Sequence, residues 1–409
     1  MKHRGDNMAS VKRYNRSVIL KLLHQHGALS RKRIAEMMSL TPAAITIIVS
    51  EMIAEGLVME GMADRSGGSA GRREIPVLFA GKGLIALGVS VNLNELLLSA
   101  ADINGKLLFS QIIPFENGID PEAIVGLAAG NLPSLMESNK LEKDKVMGIG
   151  VIVRGIVDTQ RNTSVDSFGV LRGRDIPLSA MIHESLGCPI RMDNNVRGMF
   201  RAHLFFSQQS ESGVFFVRCE KGIGAAIMAD NHILNGSSGM CSEFGHIPVV
   251  LSGGKPCKCG KRGCLETVAS PTAVMEEAKT LYSAGNTPRL YALTQGRKDA
   301  IALQHLMKAA ELGDMALAAV VEEAAVYLSN AIKAVVYTLD PKQVVLYGSM
   351  FDQPYYMQSL YRHLAEGFDD RKEKTNIFIS PFNLQLESTA APVLAINAFF
   401  TNGGYLSGC

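Results

Sequence analysis

No stretch of the chain offers about 18 uninterrupted apolar residues, so no transmembrane helix is expected. The first residues, Met1-Lys2-His3-Arg4-Gly5-Asp6, lack the apolar core of a secretory signal, so secretion is not expected either. Cysteine is sparse, seven in 409 residues, and Cys188, Cys219, Cys241 and Cys409 are scattered. That spacing argues against a disulfide-stapled scaffold, and a reduced, cytoplasmic protein is the expectation. Neither sign of charge is in excess overall: 41 Lys+Arg face 39 Asp+Glu, a net of +2. The distribution is uneven, however. Residues 1–80 hold 12 basic and 7 acidic side chains, a net of +5, and the remainder nets −3. A basic head on a mildly acidic body points the head at a polyanion.

The head reads as three short helices and a wing. Val18, Ile19, Leu22 and Leu23 form one helical stripe within residues 15–26, and Gly27 ends that helix. Ser30 caps a second helix, Arg31–Met38, buried through Ile34 and Met38, and Leu40 makes the turn. Thr41 caps a third helix that has Pro42 at its first position. Its buried side is Ile45, Ile48, Val49 and Met52, and its outer side shows Ala43, Ala44, Thr46, Ile47 and Ser50. That outer face is small and has no acid before Glu51, so it suits the floor of a DNA major groove. Strands at residues 57–60 and 74–79 frame a loop containing Gly67, Gly68 and Gly71. The loop carries Arg65, Arg72 and Arg73 and suits a phosphate backbone. Arg31, Lys32 and Arg33 suit a phosphate contact and a solvated helix start with no contact equally well. Three small helices also occur in protein-interaction modules, but the basic glycine-rich wing favours DNA.

Beyond Gly83 the texture is α/β. Residues 84–91, 95–101 and 106–114 form a meander, with an Asn104-Gly105 turn. A helix (121–139), a buried strand (146–153), a helix (178–186) and a strand (189–192) follow, and Asp193-Asn194-Asn195 stands at the last strand's end. Strand ends of such sheets bind ligands. A second lobe starts near Val196, with strands 213–219, 224–229 and 344–347 and helices 271–281, 300–311 and 314–339. A last helix, about 390–402, returns to the first lobe. The domain reading is a winged helix-turn-helix over 1–80 and a two-lobed body over 81–409. Lobe one takes about 81–195 plus 390–409, and lobe two about 196–389.

Residues 243–266 contain His246, Cys257, Cys259 and Cys264, a complete ligand set for one structural zinc per chain. Lys, Gly and Arg between the cysteines let the backbone wrap an ion and offset thiolate charge. A disulfide or three unrelated thiols are the alternatives. Glu243 and Glu266 bracket the cluster, so a metal there would hold two carboxylates in place.

From about residue 84 to 400 the chain resembles the ROK family of bacterial sugar kinases and sugar-responsive repressors. That resemblance implies an α/β, two-lobed, actin-like ATPase/sugar-kinase fold. Its carriers are Gly222-Ile223-Gly224, the Glu243-x-Gly-His246 motif and the Cys-x-Cys-Gly-x-x-Gly-Cys-x-Glu run that ends at Glu266. The head resembles the winged helix-turn-helix of the repressor branch. The resemblance implies sugar contacts for Glu243, His246 and Glu266, with His246 shared by the metal, and a close backbone approach at Gly155. It also implies a homodimer or dimer of dimers on a roughly palindromic double-stranded operator, with a sugar or sugar derivative as effector.

Departures from the kinase pattern argue against catalysis. Where kinases carry Asn-Asp, with Asp as general base, this chain has Asn194-Asn195, and an amide takes no proton. A slip of register would instead make Asp193 the base. The stretch Gly88–Asn92 lacks the acid and glycine pair of the first phosphate loop, and Glu220-Lys221-Gly222 opens the second loop with a carboxylate that repels phosphate. Arg154 and Arg197 are either ordinary surface arginines or partners for an anionic sugar. The expectation is a non-enzymatic, sugar-controlled repressor of carbohydrate genes; the alternative is an ATP-dependent sugar kinase with an accessory DNA-binding head.

Overall fold

The computed structural model describes residues 8–62, 74–80, 83–208, 212–366 and 375–405. The head comprises α1 (Met8–His26), β1 (Leu29–Ser30), α2 (Arg31–Met38), α3 (Pro42–Ala54), β2 (Val58–Glu60) and β3 (Pro76–Phe79). Both expected caps are present: the Ser30 hydroxyl accepts from Arg33 N and the Thr41 hydroxyl from Ala44 N. The corner between α2 and α3 is Ser39, at φ 52°, one residue before the expected Leu40. α3 buries Ile45, Ile48, Val49 and Met52, as its spacing predicts. α1 starts earlier than expected and buries Arg16, Ser17, Ile19, Leu20 and Leu23, leaving Val18 and Leu22 half-buried. β3 pairs antiparallel with both β2 and β1, which closes the wing onto the helices.

Lobe one follows as β4 (Ile85–Asn92), β5 (Glu95–Asp102), β6 (Leu107–Pro114), α4 (Pro121–Ser138), β7 (Val146–Val153), β8 (Ile156–Asp158), β9 (Thr163–Asp166), α5 (Leu178–Leu186) and β10 (Ile190–Asn194). α6 (Asn195–Ser207) leads out of it. Lobe two holds β11 (Val214–Cys219), β12 (Ile223–Ala229), β13 (His232–Ile233), α7 (Glu266–Ala269), α8 (Pro271–Leu281), α9 (Pro288–Leu293), α10 (Leu303–Glu311), α11 (Met315–Leu339), β14 (Gln343–Tyr347), α12 (Pro354–Ala365) and β15 (Asn376–Ile379). The chain then returns through α13 (Asn383–Thr401).

The two large sheets share one plan. Their orders are β10-β7-β4-β5-β6 and β15-β14-β11-β12-β13. Each is an antiparallel meander extended sideways by two strands parallel to its first. The C-terminal ends of the parallel strands therefore face a common cleft, where open α/β sheets place ligands. α11 is long and apolar enough to cross a membrane, but Leu317, Val321, Ala324, Leu328, Ile332 and Val336 bury one side of it in lobe two.

α13 beds directly on the sheet of lobe one. A Cβ at Gly150 of β7 would stand 1.7 Å from the Ala391 carbonyl oxygen, and one at Gly88 of β4 would stand 2.4 Å from Pro392. Only glycine allows that approach. Pro392 lies inside α13, which starts at Asn383 rather than near Ala390 as expected.

The far end of α13 carries the head. Phe79 of β3 stacks on Phe400 at 5.7 Å, and His24 of α1 stacks on Phe205 of α6 at 3.8 Å. Arg16, fully buried, donates through Nε to the Gly403 carbonyl at 2.7 Å and pairs through both terminal nitrogens with Glu55. Its guanidinium lies 4.1 Å from the Tyr405 ring centroid. Head, α6 and α13 thus share one apolar core. Cys219, Cys241, Cys257, Cys259 and Cys264 are free thiols, whereas Cys188 stands in a disulfide, contrary to the expectation of a wholly reduced chain.

Candidate functional site

The ligand atoms of His246, Cys257, Cys259 and Cys264 lie within 4.8 Å of one another. His246 Nδ1 is 3.4 Å from Cys257 Sγ, and the sulfurs of Cys259 and Cys264 are 3.6 Å apart. A tetrahedral ion with bonds of about 2.3 Å needs edges of about 3.8 Å, so the cluster has the dimensions of a metal site. The loop forms because Val249 N and Val250 N both donate to Gly263 O, and Cys257 N donates to Lys261 O. Burial and the neighbouring sulfurs push the Cys264 thiol up to about 12, a crowding that a cation would reverse by favouring thiolates.

The other ring nitrogen of His246 faces away from the cysteines: Nε2 lies 3.6 Å from Glu243 Oε2. It faces a cleft between the lobes. All six residues expected to meet a sugar, Gly155, Asn194, Asn195, Glu243, His246 and Glu266, line that one cleft. They come from separate elements: the ends of β7 and β10, the start of α6, the short turn Phe244–His246 and the start of α7. Glu266 is oriented from both sides, accepting from Ile223 N at 2.9 Å and facing Arg154 Nη2 at 3.4 Å. Burial pushes the Glu243 carboxyl up to about 7, opposed by the guanidiniums of Arg197 and Arg154.

The strand–helix joint beneath the cleft is rigid. Asn194 caps α6, accepting from Val196 N and Arg197 N, and its Nδ2 donates to the Gly155 carbonyl at 2.6 Å. Asp193, 1% exposed, accepts from Arg197 Nε at 2.6 Å and its own chain's Asn194 N at 2.8 Å, and through its other oxygen from Arg201 at 3.1 Å. Both carboxylate oxygens are occupied, so the register slip that would make Asp193 a base is not supported. Arg197 is fully buried and also donates to the Gly239 and Val157 carbonyls. It is a structural tie, and the reading of Arg197 as a surface residue or anion partner is corrected.

The two stretches that the resemblance set against phosphate loops make other contacts here. Residues 88–92 run on as strand β4, and Gly88 serves the packing of α13. Glu220 does more than present a repelling charge. Its carboxylate accepts from Ser349 N and, at 3.0 Å, from the Ser349 hydroxyl, so it occupies both donors of Ser349.

On the head, Thr41, Ala43, Thr46, Ile47 and Ser50 are exposed and Ala44 is half-buried. The Thr46 hydroxyl donates to Pro42 O, which leaves its methyl outward. Arg31, Lys32 and Arg33 pair with Glu60, Glu74 and Glu36 in surface contacts, and Lys32 and Arg33 remain exposed. Arg65, Arg72 and Arg73 lie outside the described residues.

Two further residues of the cleft escaped the sequence reading. Phe168 meets the His246 ring edge-on at 4.8 Å. It sits in a loop at φ 52°, with no periodic signal. Arg218 is the lone charge in the strand Val-Phe-Phe-Val-Arg-Cys, and that isolation was the available clue.

Residues 120–390 match the ROK family, and residues 14–60 match the MarR family. The chain is 26% identical over 353 residues to the DNA-binding transcriptional dual regulator NagC of Escherichia coli K12, covering 84% of this chain and 82% of that one. It is 24% identical over 344 residues to the xylose repressor of Bacillus subtilis 168, covering 84% of each. Among solved structures, a ROK family transcriptional regulator homologous to the E. coli MLC protein aligns with a TM-score of 0.79 at 23% identity, over 96% of this chain and 98% of that one. A ROK glucokinase from Streptomyces griseus, in complex with glucose and AMPPNP, aligns with a TM-score of 0.64 at 22% identity, over 76% of this chain and 98% of that one. The kinase is matched almost whole by three quarters of this chain, and the regulator by nearly all of it.

Proposed function

The chain belongs to the ROK family, and from that premise we propose that it is a sugar-responsive transcriptional repressor of carbohydrate genes rather than a sugar kinase. The observation that carries the reading is the cleft. Six residues suited to sugar hydroxyls converge beside a metal-sized cluster, while Asp193 and Glu220 are tied into internal hydrogen bonds. Carboxylates accept paired hydroxyl hydrogen bonds, and His246 has one nitrogen for a metal and one for the cleft. Zinc fits the three thiolates and one imidazole, and it would fix Glu243 and Glu266 relative to each other. No other part in the function is assigned to it.

The head spans residues 1–80 in this reading, and the two-lobed body spans 81–409. α3 enters the major groove of an operator through Thr41, Ala43, Ala44, Thr46, Ile47 and Ser50. The wing arginines rest on phosphates, the protein acts as a cytoplasmic homodimer, and its operator is roughly palindromic. Binding of sugar shifts the spacing or freedom of the two heads by its differential affinity for two states.

The direct test is calorimetry with a panel of monosaccharides, run alongside a measurement of ATP consumption. A sugar is expected to bind without being phosphorylated. Glu243→Gln should weaken that binding by roughly 1.5–3 kcal/mol, one charge-assisted hydrogen bond. Turnover of ATP with any sugar would replace this reading with the kinase. On the DNA side, the double change Arg72→Ala and Arg73→Ala should weaken binding to any duplex and flatten its salt dependence by roughly one or two phosphate contacts. Unchanged affinity and slope would reassign the wing.

A further inference from the structure

Resting on the reading that this cleft takes a sugar, we propose that Arg197 is a positioning residue for the effector. It clamps residues 235–243, a strap from lobe two that carries Glu243, onto β8 of lobe one. Arg197 is not among the residues that line the cleft. It acts through the backbone that it holds.

The strap is the first support. It leaves lobe two after β13 and reaches Glu243 with one short turn, Met240–Ser242, as its regular structure. From Gly236 to Met240 every residue is exposed except Gly239. Such a segment has almost no apolar core to hold it in place. Its root is fixed on lobe two, where a Cβ at Gly245 would collide with the Ile223 carbonyl. Its middle rests on the other lobe. A Cβ at Gly239, φ 77°, would stand 2.5 Å from the Val157 carbonyl oxygen, and Asn235 Nδ2 donates to the Thr159 hydroxyl at 3.3 Å.

The fork of Arg197 is the second support. Its terminal nitrogens donate to one carbonyl from each lobe, Nη1 to Gly239 at 3.1 Å and Nη2 to Val157 at 3.2 Å. These are the two residues at which the strap touches β8. A planar guanidinium spans two such acceptors at once, which a single ammonium does not. Asp193, buried with it, accepts from Nε at 2.6 Å and fixes the orientation of the fork. Arg201 holds the other oxygen of Asp193 and has no hydrogen bond to the strap among the described residues.

Glu243 is tied closely to the clamped point. Its N donates to the carbonyl of Met240, the residue after Gly239, so a displacement of Gly239 is carried to it with little slack. Without the clamp the strap is loose in the sugar-free protein, and binding has to order it again, which lowers affinity.

The test is titration calorimetry on the full-length protein with glucose, xylose and N-acetylglucosamine, and the sugar that binds is then titrated into three variants. Arg197→Lys keeps the charge beside Asp193 and gives up the fork. Gly239→Ala pushes the strap off β8 from the other side and leaves every charge in place. Arg201→Lys is the control. The first two should each weaken the sugar about tenfold, the worth of one or two neutral hydrogen bonds, with the stoichiometry still near about one per chain. Combined, they should weaken it by less than the two effects together, because both undo the same contact. Amide exchange of residues 235–243 in sugar-free protein should quicken in both and stay at the wild-type rate in the control. Melting curves show whether Arg197→Lys is folded, and Gly239→Ala decides alone if it is not. A merely structural arginine would give the opposite pattern, fewer competent sites at an unchanged dissociation constant. That pattern, or unchanged exchange in the strap, or an Arg201→Lys variant as weak as Arg197→Lys, would overturn the role of Arg197 and leave the sugar reading standing. Failure of all three sugars to bind the wild type would overturn both.

Discussion

Cys259→Ser is expected to strip the metal from the loop and to take most of the effector affinity with it. The loop has little core of its own: between Leu251 and Arg262 only Gly254 is buried. A structural zinc site contributes on the order of 10 kcal/mol or more of binding free energy, which here is free energy of ordering the loop. Glu243 and Glu266 flank the cluster, and each is expected to supply a charged hydrogen bond of roughly 1.5–3 kcal/mol to the ligand. Losing the alignment of both should weaken binding by well over tenfold. Elemental analysis should find about one zinc per chain in the wild type. It should find almost none in the variant. Cys241→Ser is the control, because Cys241 is a free thiol outside the cluster. Reduced wild-type protein that contains no zinc and binds its effector normally would sink the idea.

The second large effect is expected at Arg16. Replacing it by Met keeps much of the volume and removes a buried charge that binds Gly403 O, Glu55 and the Tyr405 ring. Breaking a buried pair costs roughly 3–5 kcal/mol, and the lower end applies because Glu55 is 42% exposed. The loss falls on the seat of the head, whereas both lobes keep their own cores. Calorimetric scans should therefore show the head melting earlier than the body. Operator binding should persist, effector binding should persist, and the response of one to the other should fade. A variant that melts in one unchanged transition and responds fully to effector would show that this contact does not transmit.

How much of this was legible depended on whether the cause was local. The bounds of α2 and α3 follow from Ser30, Thr41 and Pro42, whose capping chemistry acts within one turn. The Cys/His cluster and the acids beside it were legible because loop spacing and ligand chemistry are written in one segment. α6 was missed for a physical reason. Its buried face includes Asn195, Arg197, Gly198 and His203, which look like a polar turn. They are buried because distant groups answer them, Asp193 for Arg197 and Ser380 for His203. The seat of the head was illegible for the same reason: nothing near Arg16 in sequence announces Gly403 or Tyr405. α13 starts at Asn383, about two turns before the expected 390, and runs through Pro392, an interior proline facing Gly88.

The return of the chain through α13 sets an order of events during synthesis. The head is made first and has its own caps and sheet, but its seat, Phe399 to Tyr405, is made last. At ribosomal rates the interval is roughly 15 to 65 seconds for the intervening residues. Throughout that interval α3 can be folded while the C-terminal part of the head's seat is missing. The full seat of the head is therefore completed last, and a chain cut short before Asn383 would keep only the part on α6, where His24 meets Phe205.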